Sequence, residues 1–197
     1  MNKLTSIALF LLLSTTIMAQ ENDLPLKEIP PYPESYSTGN VMARMAEGLG
    51  YRYYWATEGL TEKDLNYKPE GEDTRTSRET LDHILELSGM LVNATKKQPN
   101  IRPQPKGNFS FDEIRAKTLQ NINEAAEILR NCSNEEFDEF LVVFQRGENK
   151  SEFPFWNMIN GPLSDAIYHV GQVVTFRRSS GNPMPKGVSV FMGKTKE

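Results

Sequence analysis

Asp165 and His169 stand four residues apart in the run GPLSDAIYHVGQVVTFRRSS, positions 161–180. On a helix that spacing puts both side chains on one face, with Cβ atoms about 6 Å apart. One helix can offer two ligands to a metal ion in this way. Gln172 and Phe176 continue the same line, while Leu163, Ile167, Val170 and Val174 fill the opposite arc. A helix apolar on both flanks packs among neighbours, so the polar line is expected to face an interior. A carboxylate and an imidazole placed there need each other, a hydrogen-bond network or a metal. The chain has two histidines, so an imidazole from another helix would be His83. Two imidazoles and one carboxylate, with open positions, suit zinc, nickel, iron(II) or manganese. The same spacing also fits a buried Asp165–His169 hydrogen bond that only braces the helix.

Nearby residues have two readings each. Gln172, one turn after His169, could orient a ligand or simply bond across the helices. Glu86, three residues after His83, could be a fourth ligand or a solvated helix residue. Arg177 and Arg178 could attract an anion, or could complement the dipole of a final turn. Trp55, Trp156 and Tyr168 fit a pocket mouth or a core.

The elements that must position these residues read as four helices. Asn40 is a candidate cap for a first helix to about Thr57, with an apolar stripe from Val41 through Ala56. Thr76-Ser77-Arg78-Glu79 fits a capping box, opening a second helix to about Lys96 that carries His83. Ser110-Phe111-Asp112-Glu113 is another such box, opening a third helix that fades near Asn131-Cys132-Ser133. Residues 133–153 are less regular, with Leu141 to Phe144 either a strand or a buried cap. A bend at Gly161-Pro162 leads into the last helix, and Gly181 is a natural stop. The expected architecture is all-α, a four-helix bundle over 40–185.

Its flanks differ in composition. Positions 1–19 hold a short basic start, an apolar run from Leu4 to Met18 and a small residue, Ala19, which is the pattern of a signal peptide. Fifteen apolar residues fall short of the roughly 20 that a spanning helix needs. The chain is therefore expected to be exported, periplasmic or secreted, with no stable membrane span after cleavage. Positions 20–39 form a proline-rich leader, and 186–197 a loose basic tail. The net charge of −4 gives no electrostatic reason to expect nucleic acid as a partner. One cysteine, Cys132, cannot close an internal disulfide.

The stretches LDHILEL and DAIYHVGQVVTFRRSSGNPMP resemble the DinB/YfiT family, and the likeness extends from Asn40 to Pro185. The histidine, glycine and glutamine of HVGQ are its most specific part. The resemblance implies an up-down-down-up bundle in which a divalent metal is held by a histidine of the second helix and an H-x-x-x-H pair of the last. His83 matches the first ligand and His169 the last, whereas Asp165 stands where the family has histidine. The implied activities are metal-dependent transferases that activate a small thiol, or related isomerases and hydrolases. Export favours hydrolysis or lyase chemistry on a small molecule over thiol transfer. The competing expectation is a non-catalytic exported bundle with a degenerate metal site. A homodimer is compatible with either.

Overall fold

Local hydrogen bonds set where the helices begin. The computed structural model describes residues 23–104 and 107–196; the expected signal peptide, 1–19, lies outside the described residues. Helix α1 spans Thr38–Thr57 and is capped by Ser37, whose Oγ accepts from Asn40 N at 3.2 Å. Asn40 is thus inside the first turn rather than its cap, and its amide donates to Ser35 instead. The short helix α2, Glu62–Leu65, interrupts the polar connection that follows. Helices α3 (Ser77–Thr95) and α4 (Phe111–Asn131) start at the two capping boxes, with Thr76 and Ser110 paired to Glu79 and Glu113. Helix α7, Ser164–Ser180, ends at Gly181 in the left-handed region, φ +98°.

The four long helices share one core. α1 packs against α4 and α7, and α3 packs against the same two. Leu49, Leu81, Ile84, Leu91, Ile114, Leu119, Ile122 and Leu129 are all buried in it. Each such side chain contributes about 1.5–3 kcal/mol of hydrophobic stabilisation. Among the described residues, no helix is long and apolar enough to cross a membrane.

The all-α expectation is corrected between α3 and α7. Strand β1 (Asn100–Ile101) runs parallel to β2 (Leu141–Arg146), which pairs antiparallel with β3 (Asn149–Pro154). A turn of Helix α5, Asn134–Asp138, precedes the hairpin. Gly147, at φ +57°, supplies the left-handed residue that the tight hairpin turn requires. Every residue of β3 is exposed, so it carries no apolar alternation for a sequence reading to find.

The flanks are tied to the bundle and to each other. Leu26 of the leader is buried against Gly50, where an added Cβ would lie 2.1 Å from a Leu26 methyl. Trp55 Nε1 donates to Lys27 O at 3.0 Å. The segment expected as a loose tail instead carries a hairpin, β4 (Val188–Ser189) with β5 (Lys194–Thr195). Ile29 N donates to Gly193 O at 2.8 Å, and Tyr51 Oη lies 2.9 Å from Thr195 Oγ1.

A polar network is buried where α1, α2 and α7 meet. Arg177, 2 % exposed, donates to the carbonyls of Trp55 and Ala56 at 3.0 and 3.1 Å and to Asn182 O at 2.7 Å. It therefore caps the C-terminus of α1 from another helix, satisfying carbonyls that have no intrahelical donor. Buried Asp64 accepts from Ser180, Asn182 and Thr61. Burial alone would raise its pKa, but those hydrogen bonds outweigh burial and hold the carboxyl well below the usual carboxylate range. The stability this provides is complete above the unfolded carboxylate value near 3.9 and is lost as pH falls toward the depressed folded value. Acid titration followed by circular dichroism should therefore show stability falling below about pH 4, with a weaker dependence in Asp64→Asn.

Candidate metal centre

A wide helical turn delivers Asp165 and His169 to α3. Helix α6 (Trp156–Met158) runs into a π turn, Ile159–Leu163, and then directly into α7. Pro162 lies inside it and has no N–H to donate, which suits an irregular turn better than a regular one. Ser164 Oγ donates to Ile159 O at 2.6 Å, giving that carbonyl a partner.

The buried side of α7 comprises Ala166, His169, Val170, Val173, Arg177 and Ser180. This face falls between the two stripes expected from sequence, so the polar line follows its edge rather than an interior. His169 is buried, His83 is half-buried, and the Asp165 side chain keeps 42 % of its surface exposed. The cluster is therefore open to solvent on the Asp165 side.

The three residues do meet. Asp165 Oδ2 lies 3.1 Å from His83 Nε2, and Asp165 Oδ1 lies 3.2 Å from His169 Nε2. The imidazole centroids are 4.8 Å apart and their planes cross at 83°. One ligand atom from each residue lies within 4.8 Å of the others. A tetrahedral zinc with bonds of about 2.0–2.1 Å spaces its ligand atoms about 3.3–3.4 Å apart. The two N···O spacings are close to that edge but use different carboxylate oxygens, and with one atom from each residue the set spans up to 4.8 Å, so the side chains would draw together to hold a divalent ion.

The hydrogen bonding of His169 points the same way. Its Nδ1 lies 2.7 Å from Gln172 Oε1, one turn along the helix. Donation from Nδ1 to that oxygen leaves the Nε2 lone pair of a neutral ring facing the Asp165 carboxylate. Two electron-rich atoms so placed call for a positive centre between or on them, a proton or a metal ion. Gln172→Ala should weaken metal affinity about 10–100-fold, the usual cost of losing a group that orients a ligand. Competition titration against a chromogenic chelator measures it.

Other sequence candidates separate cleanly. Glu86 is exposed and outside the three-residue cluster. Tyr168 is exposed, with its ring 5.3 Å from that of His169, at the rim of the cluster. Trp55 belongs to the core, and exposed Trp156 lines a separate apolar pocket with Phe137, Phe140 and Phe155. Arg177 is consumed by the α1 cap, which leaves exposed Arg178 as the solvent-facing one of the pair. Sequence reasoning missed the buried partners of Asp64; the only local signal was the Thr61-to-Asp64 spacing of a helix start.

No family model matches the chain, and no curated protein matches it. Among solved structures, it is similar to the crystal structure of a DinB-like protein, YjoA, from Bacillus subtilis, with TM-score 0.55 and 14 % identity. The likeness covers 78 % of this chain and 99 % of that one. With four long helices and a His-Asp-His cluster between two of them, this chain has a DinB-like fold.

Proposed function

We propose that this chain is a divalent-metal-binding bundle whose ligands are His83, Asp165 and His169, and that it acts on a small molecule as a metal-dependent hydrolase. The observation that carries the reading is the convergence of three ligand atoms within 4.8 Å, beside a His169 ring anchored by Gln172. A divalent ion held there supplies Lewis acidity, lowering the pKa of a bound water or thiol. His83 and His169 offer neutral nitrogens, Asp165 offers charge, and the exposed side of Asp165 leaves room for a substrate to approach. Export, as the N-terminal pattern suggests, favours hydrolysis over transfer of a small thiol.

The reading includes the up-down-down-up helix order. Its support is in which ends touch: Arg78 near the start of α3 bonds Phe109 just before α4, and Lys96 after α3 pairs with Glu124 late in α4. Arg115 early in α4 meets Glu58 after α1, and Arg177 late in α7 caps the end of α1.

A non-catalytic binding module is the second reading. Both Asp165 oxygens already have imidazole partners, so protonated rings could complete the cluster without a metal. Elemental analysis of protein purified without chelator or nickel resin separates the two. We expect about one zinc, nickel, iron or manganese per chain, and a melting temperature about 5–10 °C lower after chelation. Absence of metal, with no thermal shift on titration of any of the four ions, would sink the metal reading.

A further inference from the structure

The C-terminal hairpin is not explained by the metal centre. Its turn between β4 and β5 is Val190-Phe191-Met192-Gly193. Turns are ordinarily built from glycine, proline, asparagine, aspartate or serine, each of which helps the backbone reverse. Here only Gly193 does so, at φ +64°. The other three residues are large and apolar, and they are 46 %, 92 % and 54 % exposed. None of them is needed by the core. The hairpin is nevertheless held firmly at its base: Gly193 N donates to Ser189 O, Lys196 N to Gly187 O, and Ile29 and Tyr51 secure the other side. An added Cβ on Gly193 would lie 2.7 Å from Ile29, so the leader closes directly over this turn. The protein thus presents an apolar tip on a fixed stalk.

The charges around the tip give it a direction. Lys186, Lys194 and Lys196 are all exposed, and among the described residues none of them forms an ion pair. Lys194 adjoins the turn, and the other two lie at the base of strands only two residues long. At about 3.3 Å per residue, Lys194 is within roughly 10 Å of Phe191 at the tip, and Lys186 and Lys196, five residues from it, are within roughly 17 Å. Apolar side chains that enter a bilayer to the depth of the headgroup and acyl boundary reach about 5–10 Å. Lys194 would then lie among the headgroups, and Lys186 and Lys196 would reach them from above through their long side chains, where each favours an anionic lipid. The rest of the protein is net acidic, so the basic hairpin is a local feature and not part of a general cationic surface.

We infer that the 186–196 hairpin is a membrane-surface anchor that inserts Val190, Phe191 and Met192 into an anionic lipid bilayer, with Lys186, Lys194 and Lys196 engaging its headgroups. It holds the metal centre at the bilayer surface without spanning it.

Sedimentation with vesicles tests this on the whole chain. Binding is expected with equal parts phosphatidylcholine and phosphatidylglycerol, and not with phosphatidylcholine alone. Phe191→Asp should lower partitioning about tenfold or more, because one buried aromatic is lost and a charge gained. Each Lys→Gln change should cost about fivefold at low salt. In Phe191→Trp, the new indole should be quenched by lipids brominated on their tails, beyond the quenching of the native tryptophans. Phe191 is exposed, so these variants should fold, and circular dichroism checks it. Binding that survives Phe191→Asp, or an indole at 191 that brominated lipid leaves untouched, overturns the inference. So does a lipid-free dimer abolished by Phe191→Asp, which would make the occupant a second copy of the chain.

Discussion

Arg177→Leu should lower the unfolding free energy by about 3–5 kcal/mol, the range for removing one member of a buried charged network. The leucine fills most of the aliphatic space, so lost packing is the smaller part. The larger part is what remains: the buried carbonyls of Trp55 and Ala56 and the part-buried carbonyl of Asn182 lose their donor, at about 1–3 kcal/mol for each buried group left unsatisfied. The Asp64 carboxylate, which favours the charged form of Arg177, also loses that cation. For a domain of this size the change corresponds to a melting temperature lower by about 6–20 °C. Arg177→Lys should recover little, since an ammonium cannot span acceptors on two elements as a planar guanidinium does. Arg178→Leu, one residue away and exposed, should change stability by no more than about 0.5 kcal/mol. Denaturant unfolding of the three variants measures all of this. Equal effects at 177 and 178 would show that the cap contributes nothing.

His169→Ala should abolish metal binding at micromolar protein concentration, an affinity loss above the roughly 100-fold that an orienting group alone provides. The proposed ligand set is small, with one imidazole from α3 and two groups from α7, so no other side chain in the cluster can replace it. Asp165→Ala removes the charged ligand and should be comparably severe. Asp165→His would retain binding but move selectivity toward zinc and nickel, because a third imidazole replaces a hard oxygen donor. Calorimetric titration with zinc and manganese reads both effects. Unchanged affinity in His169→Ala would place the metal elsewhere on the protein.

What could be read from the sequence was what is encoded locally. The Thr76–Glu79 and Ser110–Glu113 boxes lie within four residues, and α3 and α4 begin there. The i, i+4 pairing of Asp165 and His169 is likewise a property of a single helix. The start of α1 slipped by three residues, from Asn40 to Ser37, because both are good caps and only the fold chooses between them. The β2–β3 hairpin was legible on one side alone: Leu141 to Phe144 is apolar, but its partner NKSEFP is exposed throughout. His83 meets Asp165 across 82 positions, a juxtaposition that the family resemblance implied and periodicity could not. Arg177 was the least visible of all. Its identity suggests a surface cation, and nothing near it in the chain names the carbonyls it serves.

That cap also fixes an order of events. The carbonyls at the end of α1 are made early, and their donor, Arg177, is added roughly 120 residues later. At about 5–20 residues per second, the first helix waits some 6–24 s for the group that completes it. The leader waits longer still, because Ile29 is secured by Gly193. The end of the first helix and the leader before it are therefore completed only by residues far downstream, Arg177 for the one and Gly193 for the other.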